Sequence, residues 1–181
     1  MSLSTLVDVE TLQAHLDDPA WVVVDVRHQL ADTAYGECVY AEGHVPGAVF
    51  LHCDRDLSGP TNGSNGRHPL PDPERLARRL GEIGIGPQSQ VAVYDDAQGM
   101  IAGRLWWLLR WLGHDKVAVL DGGLQAWLAA GGKMTPDVPS PTPAQFMAKP
   151  CQSCVDADYV RTFMETSRMH LVDARSADRF R

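Results

Sequence analysis

The stretch VAVYDDAQGMIAGR, residues 91–104, runs from an apolar segment through a short loop into a long apolar helix. In α/β proteins such a junction is where anions are bound and transformed, because the free N–H groups of the first helical turn point into the loop. The loop begins with two acids, Asp95 and Asp96, and not with a nucleophile. Carboxylates there cap the helix and occupy the N–H groups themselves, for about 0.5–2 kcal/mol of stabilisation. The four cysteines, Cys38, Cys53, Cys151 and Cys154, form no disulfide-scaffold pattern. Cys38 falls in a helix-like stretch and Cys53 near a strand end. Neither precedes a helix N-terminus in a glycine-bearing loop, so both read as packing or surface thiols. Cys151-Gln-Ser-Cys154 is a single CxxC after Pro150. Without a second pair it reads as incidental, with a disulfide or an adventitious metal as alternatives. His28, His52 and His68 show no recognisable ligand spacing with Asp or Glu and read as solvated loop histidines. No metal site and no cofactor is expected. The Gly/Asn-rich loop 59–66 is not a P-loop, since it lacks Gly-Lys-Ser/Thr and a preceding strand.

These residues sit in a chain of 181 residues, 44% hydrophobic and 22% charged, with a formal charge of −7. That is ordinary for a globular protein and makes nucleic acid and anionic membranes poor partners. No run approaches the roughly 20 apolar residues of a membrane span. MSLSTLVDVETLQ has neither the basic start nor the apolar core of a signal peptide, which favours the cytoplasm.

The elements that must hold the loop alternate between strand and helix. TLVDVETLQAHL opens with a short strand and a helix that Asp8 can cap. WVVVDVR (21–27) is a near-continuous apolar run, as in strands buried on both faces of a parallel sheet. TAYGECVYAEGHVPGAVFL predicts a helix, a turn and a strand from Ala48 to Leu51. After a long polar loop, Asp72 and Pro73 start a helix that Gly84 ends. Val91–Tyr94 is the next strand, and helix 98–112 follows. That helix is apolar nearly all round, with Trp106, Trp107 and Trp111, and is expected to be deeply buried as core or domain interface. VAVLDGG (117–123) and LQAWLAAGG give a last strand and helix. The alternation implies α/β architecture, a parallel sheet of about five strands with helices on both faces in three layers.

From 133 to 150 the chain carries five prolines and no periodicity, which reads as a linker. Shifted by 148 positions, residues 7–27 then lie on 155–175 with five identities in 21 and a shared apolar frame. Val7 and Asp8 meet Val155 and Asp156; Val24, Asp25 and Arg27 meet Val172, Asp173 and Arg175. This repeat marks the start of a second copy of the first domain. The expected organisation is domain 1–132, linker 133–153 and the truncated start of a second domain at 154–181. One helix and one strand bury no core. Val160, Phe163, Met164, Leu171 and Val172 are therefore expected to pack on a missing carboxy-terminal domain or a second chain.

VVVDVR, GHVPGAVF and VAVYDDAQGMIAGRLWWLLRWLGHDKVAVLDGGLQAW together resemble the amino-terminal domain of a two-domain rhodanese-type sulfurtransferase. LVDARSADRF resembles the opening of its partner domain. The resemblance implies a three-layer rhodanese-like fold and a tandem-domain enzyme. It implies transfer of a sulfane sulfur from thiosulfate or 3-mercaptopyruvate, through a cysteine persulfide, to cyanide or a thiol. In active copies the cysteine follows the strand of this loop; here Asp95 holds that place, so this domain is the silent one. The resemblance gives no cofactor. It matches His44 to a position facing the interdomain cleft, against which stands a turn histidine bonded to backbone. It matches Arg179 to an arginine that binds the donor's carboxylate or sulfonate. Arg27 and Arg104 match arginines that tie strand ends to carboxylates. An alternative to the enzyme half is an inactive rhodanese-like module that docks or regulates a partner.

Overall fold

In the computed structural model, which describes residues 2–151, 154–166, 168–173 and 177–180, the apolar runs become the centre of one sheet. The elements of the first unit, Met1–Cys151, are β1 (Leu6–Val7), α1 (Val9–Ala14), β2 (Trp21–Asp25), α2 (Tyr35–Glu42), β3 (Val49–Phe50), α3 (Pro73–Glu82), β4 (Gln90–Tyr94), α4 (Ala102–Trp111), β5 (Val117–Leu120) and α5 (Gly123–Ala129). The strands lie in the order β1-β5-β4-β2-β3 and every pairing is parallel. The register places Asp25 beside Tyr94 and Val93 beside Val119. The parallel sheet with helices on both faces is the architecture that the strand–helix alternation predicts.

All five residues of β4 are buried, because its alternate side chains serve two cores. Val91 and Val93 join Leu76 and Leu80 of α3 and Leu105, Leu108 and Leu109 of α4. Ala92 and Tyr94 face the opposite way, toward Leu12 of α1 and Leu124 and Trp127 of α5. Helix starts follow the capping residues: Asp8 accepts from Thr11 N at 2.7 Å and Asp72 from Arg75 N at 2.8 Å. Helix α4 differs from expectation in two ways. It starts at Ala102, later than the apolar pattern suggests, and its three tryptophans are only half-buried. Trp107 stacks on Trp111, and Arg110 lies over Trp106, whose Nε1 donates to Ser4 O at 2.8 Å. The indoles roof the leucine face and do not enter it.

Residues 133–151 have no helix or strand, yet they are laid on the first unit and not extended from it. Thr135 exchanges main-chain hydrogen bonds with His44, both at 2.9 Å. Ala144 N donates to Gly81 O, Lys149 N to Leu112 O and Cys151 N to Trp111 O, and Phe146 and Ala148 pack on the α3–α4 core. The compact unit thus runs through Cys151.

The second unit, Gln152–Arg181, contains α6 (Ala157–Phe163) and α7 (Ala177–Phe180). Asp156 caps α6 by accepting from Tyr159 N at 2.7 Å, the same bond that Asp8 makes at its repeat-related position. Leu171, Val172 and Asp173 have no strand structure, although their counterparts form β2. Arg175 lies outside the described residues, as does the side chain of Arg179. No helix of the described residues is long and apolar enough to cross a membrane.

Candidate functional site

Asp95 follows β4 directly and is completely buried. Its Oδ1 accepts from Ala97 N at 2.9 Å and Gly99 N at 2.8 Å. Its Oδ2 accepts from Ile101 N and Ala102 N, both at 2.8 Å. Left-handed Gln98 and Gly99 (φ 57 and 85) turn the loop so that four N–H groups converge on one point. The carboxylate therefore reaches forward to the first turn of α4 and takes the place of an anionic ligand in the cradle. Gly123 completes the setting. It has φ +59, and a Cβ there would stand 2.6 Å from Asp95 O, the carbonyl that accepts from Leu124 N. Gly123→Ala is expected to destabilise the protein by about 2 kcal/mol, as read from its thermal denaturation. The second acid, Asp96, accepts a short hydrogen bond from the Tyr35 hydroxyl, which ties the segment after β2 to this loop.

Beside the loop, β2 ends in a buried ion pair. Arg27 Nη2 lies 2.7 Å from Asp25 Oδ2, and Arg27 Nε donates to the same carboxylate at 2.9 Å. The remaining guanidinium capacity goes to Val39 O at 3.2 Å and Gly43 O at 2.7 Å. Tyr94 OH donates to Asp25 Oδ2 at 2.7 Å and accepts from Val45 N at 3.1 Å. Burial, followed by the Asp25 charge, drives the Tyr94 phenol far above its usual range. Burial is the largest single influence and opposes the Arg27 charge, but the hydrogen bond to Asp25 and the charges of Asp25, Tyr94 and Asp96 together outweigh it, and the guanidinium pKa lies above its ordinary value. This group locks strand ends together, as the Arg27 match implies. Arg104 does something else. It meets no carboxylate and instead spans the long loop, donating to Leu57 O at 2.8 Å, His68 O at 3.1 Å and Pro69 O at 3.2 Å. Burial lowers its pKa.

His44 is fully buried. Its Nδ1 lies 2.8 Å from Tyr40 O, its Nε2 3.1 Å from Asp137 O, and its ring stacks on Tyr40. It holds the turn after α2 against the docked segment. Cys38 and Cys154 are exposed; Cys151 Sγ approaches Arg110 O at 3.8 Å. Cys53 is buried, and burial pushes its thiol pKa up against the opposing charge of Arg104. A thiol so placed is a poor nucleophile.

Two of the three loop histidines, His28 and His52, are buried and not solvated as their spacing suggests. His28 is 5% exposed and His52 6%. His52 Nδ1 accepts from Asp54 N at 3.1 Å, so its Nε2 donates to Thr33 O at 2.9 Å and the ring is fully used. His68 Nε2 lies 2.9 Å from Asp54 Oδ1, an acid–base dyad with both side chains partly exposed. His28, Cys53, Asp54 and His68 bring one donor atom each to within 4.8 Å of one another. The set comes from two loops at the carboxyl edge of the sheet, His28 from the β2–α2 loop and the other three from the long β3–α3 loop; Asp95 lies on the same edge. Contributions from separate loops leave no regular spacing in sequence, which is why ligand-spacing rules miss them.

A family model described as "Rhodanese-like domain" matches residues 8–130. A probable 3-mercaptopyruvate sulfurtransferase of Pseudomonas aeruginosa is 45% identical over 184 residues, covering 100% of this chain and 65% of its own length. The thiosulfate sulfurtransferase of Bos taurus is 33% identical over 176 residues, covering 94% of this chain and 58% of its own length. The chain thus spans less than two thirds of either relative. Among solved structures, SseA from Escherichia coli, described with the 3-mercaptopyruvate sulfotransferases, matches with a TM-score of 0.85 at 31% identity, over 98% of this chain and 68% of that one.

Proposed function

The chain belongs to the rhodanese-like domain family, and from that premise we propose that it is the catalytically silent half of a sulfurtransferase. The enzyme it serves moves a sulfane sulfur from thiosulfate or 3-mercaptopyruvate to cyanide or a thiol, through a persulfide on a cysteine of another domain. The observation that carries this reading is the Asp95 carboxylate seated on four main-chain N–H groups. A carboxylate accepts no sulfur, and its charge repels an anionic donor from the cradle.

What this half supplies is a wall and a proton-carrying pair. With Nε2 engaged by Asp54, His68 leaves Nδ1 at a partly exposed position of the sheet edge, where it is assigned to proton transfer with a donor held in the cleft. Arg179 is assigned to the donor's carboxylate or sulfonate, which its planar fork pairs with two bonds. His44 acts through the turn it holds and does not touch the donor, since it is fully buried. Leu171 and Val172, 64% and 82% exposed, are assigned to contact with a following domain or a second copy.

Residues 1–181 alone are expected to give no thiocyanate from thiosulfate and cyanide, and no sulfide from 3-mercaptopyruvate and a thiol. Turnover above the buffer rate that disappears in Cys38→Ser or Cys53→Ser would refute the silent-half assignment.

A further inference from the structure

We propose that His28, Cys53, Asp54 and His68 form a binding site for a zinc-class divalent transition metal. The inference does not rest on the sulfur-transfer reading, although the two share His68 and Asp54. Two observations carry it. The four donor atoms lie within 4.8 Å of one another. His28 Nε2, on a side chain more than nine-tenths buried, makes no hydrogen bond among the described residues. A buried imidazole nitrogen without a partner is costly unless something supplies one.

The donor set selects the ion. Two imidazoles, a thiolate and a carboxylate form a borderline-soft tetrahedral set of the kind that zinc takes, with bonds of about 2.0–2.3 Å. Calcium and magnesium require oxygen ligands and are disfavoured. The charge closes as well: Cys53 thiolate and ionised Asp54 together carry two negative charges, which balance a dication, while both histidines bind neutral. Binding breaks the Cys53 S–H bond and releases that proton to solvent.

The site also has an inside, a mouth and a frame. Cys53 and His28 form its buried floor, at 2% and 5% exposure. Asp54 and His68 stand at the opening, where an ion enters. His52 pins the 52–55 turn through its Nδ1, and Arg104 pins the carbonyls of His68 and Pro69, so two of the three ligand-bearing segments are fixed by partners of their own. A bound ion takes His68 and Asp54 together, so a metal-loaded site and a proton-carrying dyad are mutually exclusive states.

The test uses the reduced 1–181 protein. Cobalt(II) is expected to give a near-ultraviolet thiolate charge-transfer band and tetrahedral visible bands, saturating at one ion per chain. Zinc is expected to displace it and to raise the melting temperature. His28→Gln and Cys53→Ser are each expected to weaken zinc binding more than about tenfold, measured against a chromophoric chelator. Cys38→Ser and the pair Cys151→Ser/Cys154→Ser are expected to leave binding unchanged. If either core variant fails to fold, the other, checked by its circular dichroism, carries the test. Absence of the charge-transfer band in the wild type overturns the proposal. So does zinc binding that survives His28→Gln, or that is lost with Cys151 and Cys154.

Discussion

Asp95→Cys is expected to give a thiol that alkylates as a thiolate near pH 6, well below the value of about 8.5 for a free cysteine. Four N–H groups already converge on the position, at 2.8–2.9 Å from the present carboxylate oxygens. They face the start of α4, whose dipole adds to the same preference for negative charge. The sulfur of the variant falls between the sites of the two oxygens and inherits their donors. Asp96 opposes the shift as a neighbouring anion, but it points away to the Tyr35 hydroxyl. The measurement is the pH dependence of iodoacetamide modification, in a background where exposed Cys38, Cys151 and Cys154 are serine. A midpoint near 8.5 would show that the cradle does not stabilise anions, and the explanation of Asp95 as a ligand substitute would fail with it.

Arg27→Met is expected to cost about 3–5 kcal/mol, a large part of a typical stability of about 5–15 kcal/mol. The loss is more than one ion pair. Asp25 is left without its counter-charge at zero exposure, supported mainly by the Tyr94 hydroxyl and the amide of residue 27. The carbonyls of Val39 and Gly43 lose their donor at the same time. The double variant Asp25→Leu/Arg27→Met removes the stranded charge and is expected to recover part of the loss. Urea denaturation of the single and double variants checks both statements. A single variant within about 1 kcal/mol of wild type would mean that water reaches Asp25 and that the network is not closed.

Much of this frame is legible in the sequence because it rests on side-chain pattern. The runs at 21–25 and 91–94 are apolar throughout because each strand is covered on both faces, and Asp8 and Asp72 mark helix starts because their side chains fit the first free N–H groups. Asp95 is legible for the same reason. The His28–Cys53–Asp54–His68 cluster is not, since loop geometry assembles it and no periodicity reports loop geometry. The docking of 133–151 is hidden differently. It is made largely of main-chain bonds, such as Thr135 to His44 and Ala144 to Gly81, which any residue except proline as donor can make. Helix α4 misleads because its tryptophans look like core, while their bulk and polar edges suit a half-covered roof. Leu171–Asp173 have the composition of a strand but no strand structure, and composition alone does not make a ladder.

The docked segment also fixes where this module can be cut. Gly81 has no side chain because the Ala144 carbonyl occupies that space, only 2.5 Å from where a Cβ would be. Ending the polypeptide at residue 132, where helical and strand elements cease, would uncap the Leu112 and Trp111 carbonyls and strip Phe146 from its greasy seat. The minimal expression fragment should therefore extend to Cys151, and a protease that trims stiff proline-rich tethers should find this one already fastened down.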